Sequence, residues 1–179
     1  MDLRLFDQYF QIYDDKFQYA NVSRIRWITD KRPRFLFGIP IGVKRSFTLA
    51  IEFRTGPPVQ LGPYGFSTDL SDAELRAVDE SMQRLFAATR GVRLAGYRAE
   101  LERAGRFEYD GRMFNADGSV DYKGRRYTLD LNTRPKAIKS HTEIKCLPRG
   151  SITVETDWDR DCFHALLSDM HRASAAEVE

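Results

Sequence analysis

The sequence predicts an α+β protein, built of antiparallel strand meanders that are each closed by one amphipathic helix. Three observations carry that expectation. Extended strands, a short polar break and one amphipathic helix follow one another twice. The first copy runs through Ser46–Phe53 and Val59–Leu61 into a helix near Asp72–Ala88, and the second through Ile138–Lys145 and Ser151–Glu155 into a helix near Asp159–Arg172. Turn-forming residues separate short alternating runs throughout the second half. Finally, 42% hydrophobic and 12% aromatic residues among 179 are enough for a packed core of one domain or two small ones.

Leu5–Trp27 is dense in aromatics, and Asp14-Asp15-Lys16 reads as a turn between two extended pieces. In Ser46–Phe53, Phe47, Leu49, Ile51 and Phe53 share one face, while Ser46, Thr48 and Glu52 share the other. Gly56-Pro57-Pro58 breaks this strand, and Val59-Gln60-Leu61 returns as a hairpin partner. Gly62-Pro63-Tyr64-Gly65 reads as a loop. Ser71 and Glu74 have the spacing of a capping box, in which a hydroxyl and a carboxylate each satisfy the other's backbone N–H. Leu75, Val78, Met82, Leu85 and Phe86 make a helical stripe, and Gly91 is expected to end it. A second helical piece is expected over Leu94–Ala104, with Gly105 as its stop.

Beyond Arg106, short strands are expected around Phe107/Tyr109, Met113/Phe114 and Arg125–Leu131, with turns at Asn115–Gly118 and Lys123-Gly124. Thr156 or Asp159 is expected to cap the last helix, whose stripe is Phe163, Leu166, Leu167 and Met170. The tail from Ala173 is expected to fray. The organisation that follows is a strand-rich half over residues 1–91, a helical connector over 92–105 and a second strand-rich half over 106–179.

The strand Phe47–Phe53 with its Ser71-x-x-Glu74 helix, and the strand Ile152–Glu155 with its Thr156-capped helix, resemble bacterial pleckstrin-homology-like domains, arranged as two halves over residues 5–91 and 106–172. The resemblance lies in the order of elements and involves no specific motif. It implies binding of peptides, proteins or lipid headgroups rather than catalysis.

The formal net charge is only +2, so no single field covers the surface. Its distribution is uneven. Arg24, Arg26, Lys31, Arg32, Arg34, Lys44 and Arg45 stand against Asp30 alone, with Trp27, Phe35 and Phe37 interleaved. Guanidinium forks suit phosphates and carboxylates, and an apolar stretch beside them suits an interface. Arg24, Arg26, Trp27, Lys31, Arg32, Arg34, Phe35, Lys44 and Arg45 are therefore the candidate binding residues. The competing reading is a solvated strand face with arginines pointing outward.

Other constellations are weaker. Asp157-Trp-Asp-Arg-Asp161 opens like a calcium loop, but Cys162 stands where Gly is needed and Ser168 where a bidentate Glu is needed. Capping and helix-dipole compensation account for these acids better. Cys162, His164 and His171 complete no zinc pattern, so neither metal nor cofactor is implied. Cys146 and Cys162 are not in a C-x-x-C and read as reduced thiols. A Cys162–His nucleophile pair stays open, since such partners meet in space. No phosphate-binding glycine loop or nucleophile elbow is present.

The opening Met-Asp-Leu-Arg-Leu-Phe-Asp has acids where a signal peptide needs basic and apolar residues, and no apolar run approaches the ~18 residues of a membrane span. A cytoplasmic location is expected. The function expected is a non-catalytic protein-binding module, such as an adaptor or an immunity-type inhibitor. The alternatives are peripheral binding to anionic lipid through residues 24–45, with Phe35–Ile41 entering the interface, and an enzyme with a dispersed Cys/His site. Nucleic acid ranks last because the net charge is so small.

Overall fold

The computed structural model describes residues 3–62, 71–138, 141–156 and 158–176, apart from the side chains of residues 30–32, 44, 45 and 173–176. Pro63, Tyr64 and Gly65 of the expected loop, and Asp157, lie outside the described residues. The protein is α+β, as expected. It divides into two compact units, Met1–Val92 and Arg93–Glu179.

The first unit opens with a three-stranded antiparallel sheet of β1 (Leu3–Leu5), β2 (Tyr9–Ile12) and β3 (Asp15–Gln18). A 3₁₀ turn at Tyr19–Asn21 leads into β4 (Val22–Leu36), which pairs along its length with β5 (Ile39–Phe53); β6 (Val59–Leu61) adds to the base of β5. Phe10, Ile12, Val22, Ile25, Leu49 and Ile51 pack with Met82 and Leu85 of the following helix. Gly62 ends β6 because nothing larger fits: a Cβ there would stand 2.2 Å from the Phe47 carbonyl oxygen, and its φ of +67° suits glycine.

That helix, α1 (Asp72–Ala104), starts at the expected capping box: Ser71 N–H donates to Glu74 Oε2 at 2.8 Å, and Glu74 N–H donates to Ser71 Oγ at 3.2 Å. These bonds to Ser71, through its hydroxyl first and then its N–H, hold the Glu74 carboxyl below its usual range. Gly91 does not end the helix. It sits at an exposed position within one continuous 33-residue helix, so Leu94–Ala104 is not a separate connector. A mid-helix glycine costs ~1 kcal/mol. Buried apolar contacts on both sides of it, Met82 and Leu85 before and Leu94 and Tyr97 after, outweigh that cost. The true stop is Gly105, at φ +66°, whose N–H donates to the Leu101 carbonyl at 2.8 Å.

The second unit is a meander of β7 (Arg106–Tyr109), β8 (Arg112–Asn115), β9 (Ser119–Tyr122) and β10 (Arg125–Leu129). It continues into β11 (Lys136–Ile138), β12 (His141–Leu147) and β13 (Ser151–Glu155), then α2 (Arg160–Ala176). The stretch expected as one strand over Ile138–Lys145 is thus two antiparallel strands, and the last helix continues past Ala173. Phe107, Phe114, Val120, Ile144, Val154, Phe163, Leu166 and Met170 form the core. The outer edge of β13 is satisfied by side chains instead of a further strand. Arg112 Nη2 donates to the Thr153 carbonyl at 2.6 Å, Glu155 N–H donates to Asp110 Oδ2 at 2.9 Å, and Asp110 and Arg112 form an ion pair with each other.

Candidate binding surface

The basic segment forms a hairpin arm. At roughly 3.3 Å per residue, fifteen-residue strands extend about 50 Å. Only the base is covered. Ile25, Leu49 and Ile51 are buried against α1, whereas β6 pairs with β5 only at Leu49–Ile51. Farther out, the sheet order β4-β5-β6 leaves a two-stranded ribbon with no further strand on either edge among the described residues.

Phe37 and Gly38 close the tip as a two-residue loop between the paired Leu36 and Ile39, both with positive φ (50° and 80°). This is the handedness that matches strand twist, and it ordinarily selects Asn or Gly. Phe37 in that position is 96% exposed. Its neighbours Phe35, Leu36, Ile39, Ile41 and Val43 are also exposed, so six of the ten exposed large hydrophobic residues among those described lie within nine positions of the chain. The pairing steps from Arg34↔Gly42 to Phe35↔Pro40, which leaves Ile41 bulged.

Directly inward of this tip, the register sets Lys31 opposite Arg45 and Arg32 opposite Lys44. Like charges on directly opposed residues destabilise a strand pair. The arm therefore combines an exposed apolar tip with a register that places four basic residues in two directly opposed pairs.

Of the remaining candidates, Arg24, Arg26 and Trp27 belong to the base. Arg24 forms an ion pair with its cross-strand partner Glu52 at 4.0 Å. Arg26 is half-buried opposite Ala50, and Arg34 is half-buried nearer the tip. Trp27 packs against Phe47, with ring centroids 5.1 Å apart, and its Nε1–H donates to Asp79 Oδ1 on α1 at 2.8 Å. It anchors the arm and is not part of the exposed tip. Lys31, Arg32, Lys44 and Arg45 are placed by backbone register alone.

The second unit holds a polar cluster that sequence reasoning missed. Arg93 is buried in α1. Its Nη1 donates to Asp159 Oδ1 at 2.5 Å and Asp161 Oδ1 at 3.2 Å, and Tyr97 Oη–H donates to Asp159 Oδ2 at 3.1 Å. Asp159 stands at the expected cap position of α2, where its carbonyl accepts from Phe163 N–H at 2.9 Å, and its carboxylate also binds α1. The signal was present in the spacing: Met82, Thr89, Arg93 and Tyr97 continue one apolar helical face, so an arginine stands where the stripe calls for a leucine. The thiols offer little chemistry. Cys146 and Cys162 are buried, and burial pushes the Cys146 thiol up. Among the described residues, no three His, Cys, Asp or Glu side chains converge on a metal position.

No protein-family model matches the chain, and no curated protein or solved structure matches it either.

Proposed function

We propose that this chain is a non-catalytic, cytoplasmic binding module whose β4–β5 arm docks on an anionic membrane surface. One observation carries the reading: an exposed apolar hairpin tip lies immediately beyond two like-charged cationic cross-strand pairs. Six apolar side chains entering the headgroup–acyl boundary supply on the order of 5 kcal/mol, taking about half the transfer energy of full burial. Four cations near an anionic surface add ~1 kcal/mol each, and they also resolve the repulsion between the opposed pairs. Stable peripheral binding takes two such signals together. From the Arg32↔Lys44 pair to the turn is about five residues, or roughly 16 Å, enough for a tilted ribbon to reach that boundary while the cations remain at the headgroups.

The pleckstrin-homology-like resemblance is part of the same proposal. In the second unit, seven strands followed by one helix support it, and such domains commonly serve as binding modules. A second reading, a protein partner of adaptor or immunity type, draws on the open edges of the distal ribbon, which suit strand addition.

Co-sedimentation of the full chain with vesicles tests the proposal. Binding to vesicles containing one-third phosphatidylserine is expected, with little binding to pure phosphatidylcholine. Equal binding to both, or to neither, removes the anionic-surface reading. In the latter case, affinity purification that recovers one stoichiometric protein would favour the second reading.

A further inference from the structure

A cleft of about 510 Å³ opens in the second unit between the turn that follows β10 and one face of α2. Ile144 and Leu167, both buried, form its floor. His164 is half-buried, while Arg134, His171 and Arg172 are exposed and so line the mouth. Its size suits a small molecule, and few of its polar groups are neutralised internally.

The charge balance favours an anion. Asp130, the carboxylate lining the cleft, is occupied by its own turn: it accepts from Asn132 N–H at 3.1 Å and from Thr133 Oγ1–H at 2.7 Å. Beside the mouth, one carboxylate serves two guanidiniums. Arg98 donates to Asp169 Oδ2 through Nε and Nη2 at 2.9 and 2.6 Å, and Arg172 donates to Asp169 Oδ1 at 2.5 Å. Partial burial works against ionisation of Asp169, but these two arginines hold its carboxyl below the usual range. Three guanidiniums, Arg98, Arg134 and Arg172, thus stand against the carboxylates of Asp130 and Asp169, a net charge of +1 at the opening.

Deeper in, His164 is oriented by a chain of hydroxyls. Thr142 Oγ1 lies within hydrogen-bond distance of both Thr156 Oγ1, at 3.3 Å, and His164 Nε2, at 2.9 Å. Burial, then Arg160, lowers the pKa of His164 and keeps the ring neutral. The other ring nitrogen, Nδ1, makes no hydrogen bond among the described residues.

We infer that this cleft binds a small organic anion, a carboxylate or phosphate monoester with a short apolar body, its head between Arg134 and Arg172 and its chain over Ile144 and Leu167. A polar group on such a ligand would reach His164 Nδ1.

Hexyl phosphate titrated into the full chain, followed through the histidine ring resonances by NMR, tests this. His141 lies on β12, paired with Glu155 and outside the cleft, so it is an internal control. Saturable shifts of His164 and His171, with His141 unmoved, are expected. The double variant Arg134→Ala/Arg172→Ala, at exposed positions that tolerate truncation, is expected to weaken binding about tenfold. Inorganic phosphate and hexanol, supplying head and chain separately, should each bind more weakly than hexyl phosphate. Absence of saturable shifts, equal movement of His141, or unchanged affinity in the double variant would overturn the inference.

Discussion

Phe37 stands where the backbone favours a small polar residue or glycine, with φ at 50° and its ring in water. A left-handed conformation costs a residue with a Cβ roughly 1–2 kcal/mol, less for Asn, whose side chain bonds locally. Phe37→Asn is therefore expected to leave the thermal unfolding midpoint unchanged or higher while cutting affinity for anionic vesicles at least tenfold. A variant that lost both stability and binding would mean that Phe37 serves the fold. Arg93 is the converse case. Its guanidinium and the Asp159 carboxylate are fully buried and 2.5 Å apart, so truncating one partner strands the other. Arg93→Met is expected to destabilise the second unit by about 3–5 kcal/mol in urea unfolding. A double variant with Asp159→Asn should recover part of that, because the Asp159 charge is then no longer buried without its partner and Asn tolerates the φ of 45° there.

At the scale of elements, the arm is a stable base continued into a ribbon that, among the described residues, pairs only with itself, and two-stranded ribbons are marginal in water. Amide exchange is expected to be slow at Ile25, Leu49 and Ile51 and fast beyond Phe47, with the outer amides slowing on vesicle addition. Uniform protection along β4 and β5 in the free chain would show that the ribbon needs no partner. The same element shows where the sequence was legible and where it was not. Ser46–Phe53 alternates cleanly because it lies over a core, and Val59–Leu61 and the capping box announce themselves by local chemistry. Pro33, Gly38, Pro40 and Gly42 look like strand breakers, yet a ribbon with open edges tolerates missing donors that a central strand does not. The exposed tip was visible as an apolar run with basic neighbours. Its position at the end of an arm was not, because the register joining Lys31 to Arg45 is set by pairing between distant residues. Gly91 misled for a related reason: local propensity proposes a stop, and packing on both sides overrules it.

Across the whole molecule, charge is polarised. Residues 24–45 carry +6 within a chain of net +2, so the remainder carries −4. At an anionic surface, the basic segment would be the part of the chain attracted to it, over distances set by a Debye length of about 8 Å at physiological salt. This distribution also lets the electrostatic and apolar contributions be separated. For the intact chain, affinity for phosphatidylserine vesicles should fall steeply between roughly 0.05 and 0.5 M salt, because four surface cations at ~1 kcal/mol each amount to several hundredfold. Reversing one opposed pair, Lys31→Glu with Arg45→Glu, should flatten that salt dependence and remove the preference for anionic lipid, leaving a weak residual affinity from the tip. Ile39→Asn with Ile41→Asn should do the opposite: recruitment at low salt persists with the same salt dependence, and nothing remains bound at 0.5 M. If both double variants lose affinity in the same proportion at every salt concentration, the two contributions are not separable, and a shape-specific protein site becomes the better account of the arm.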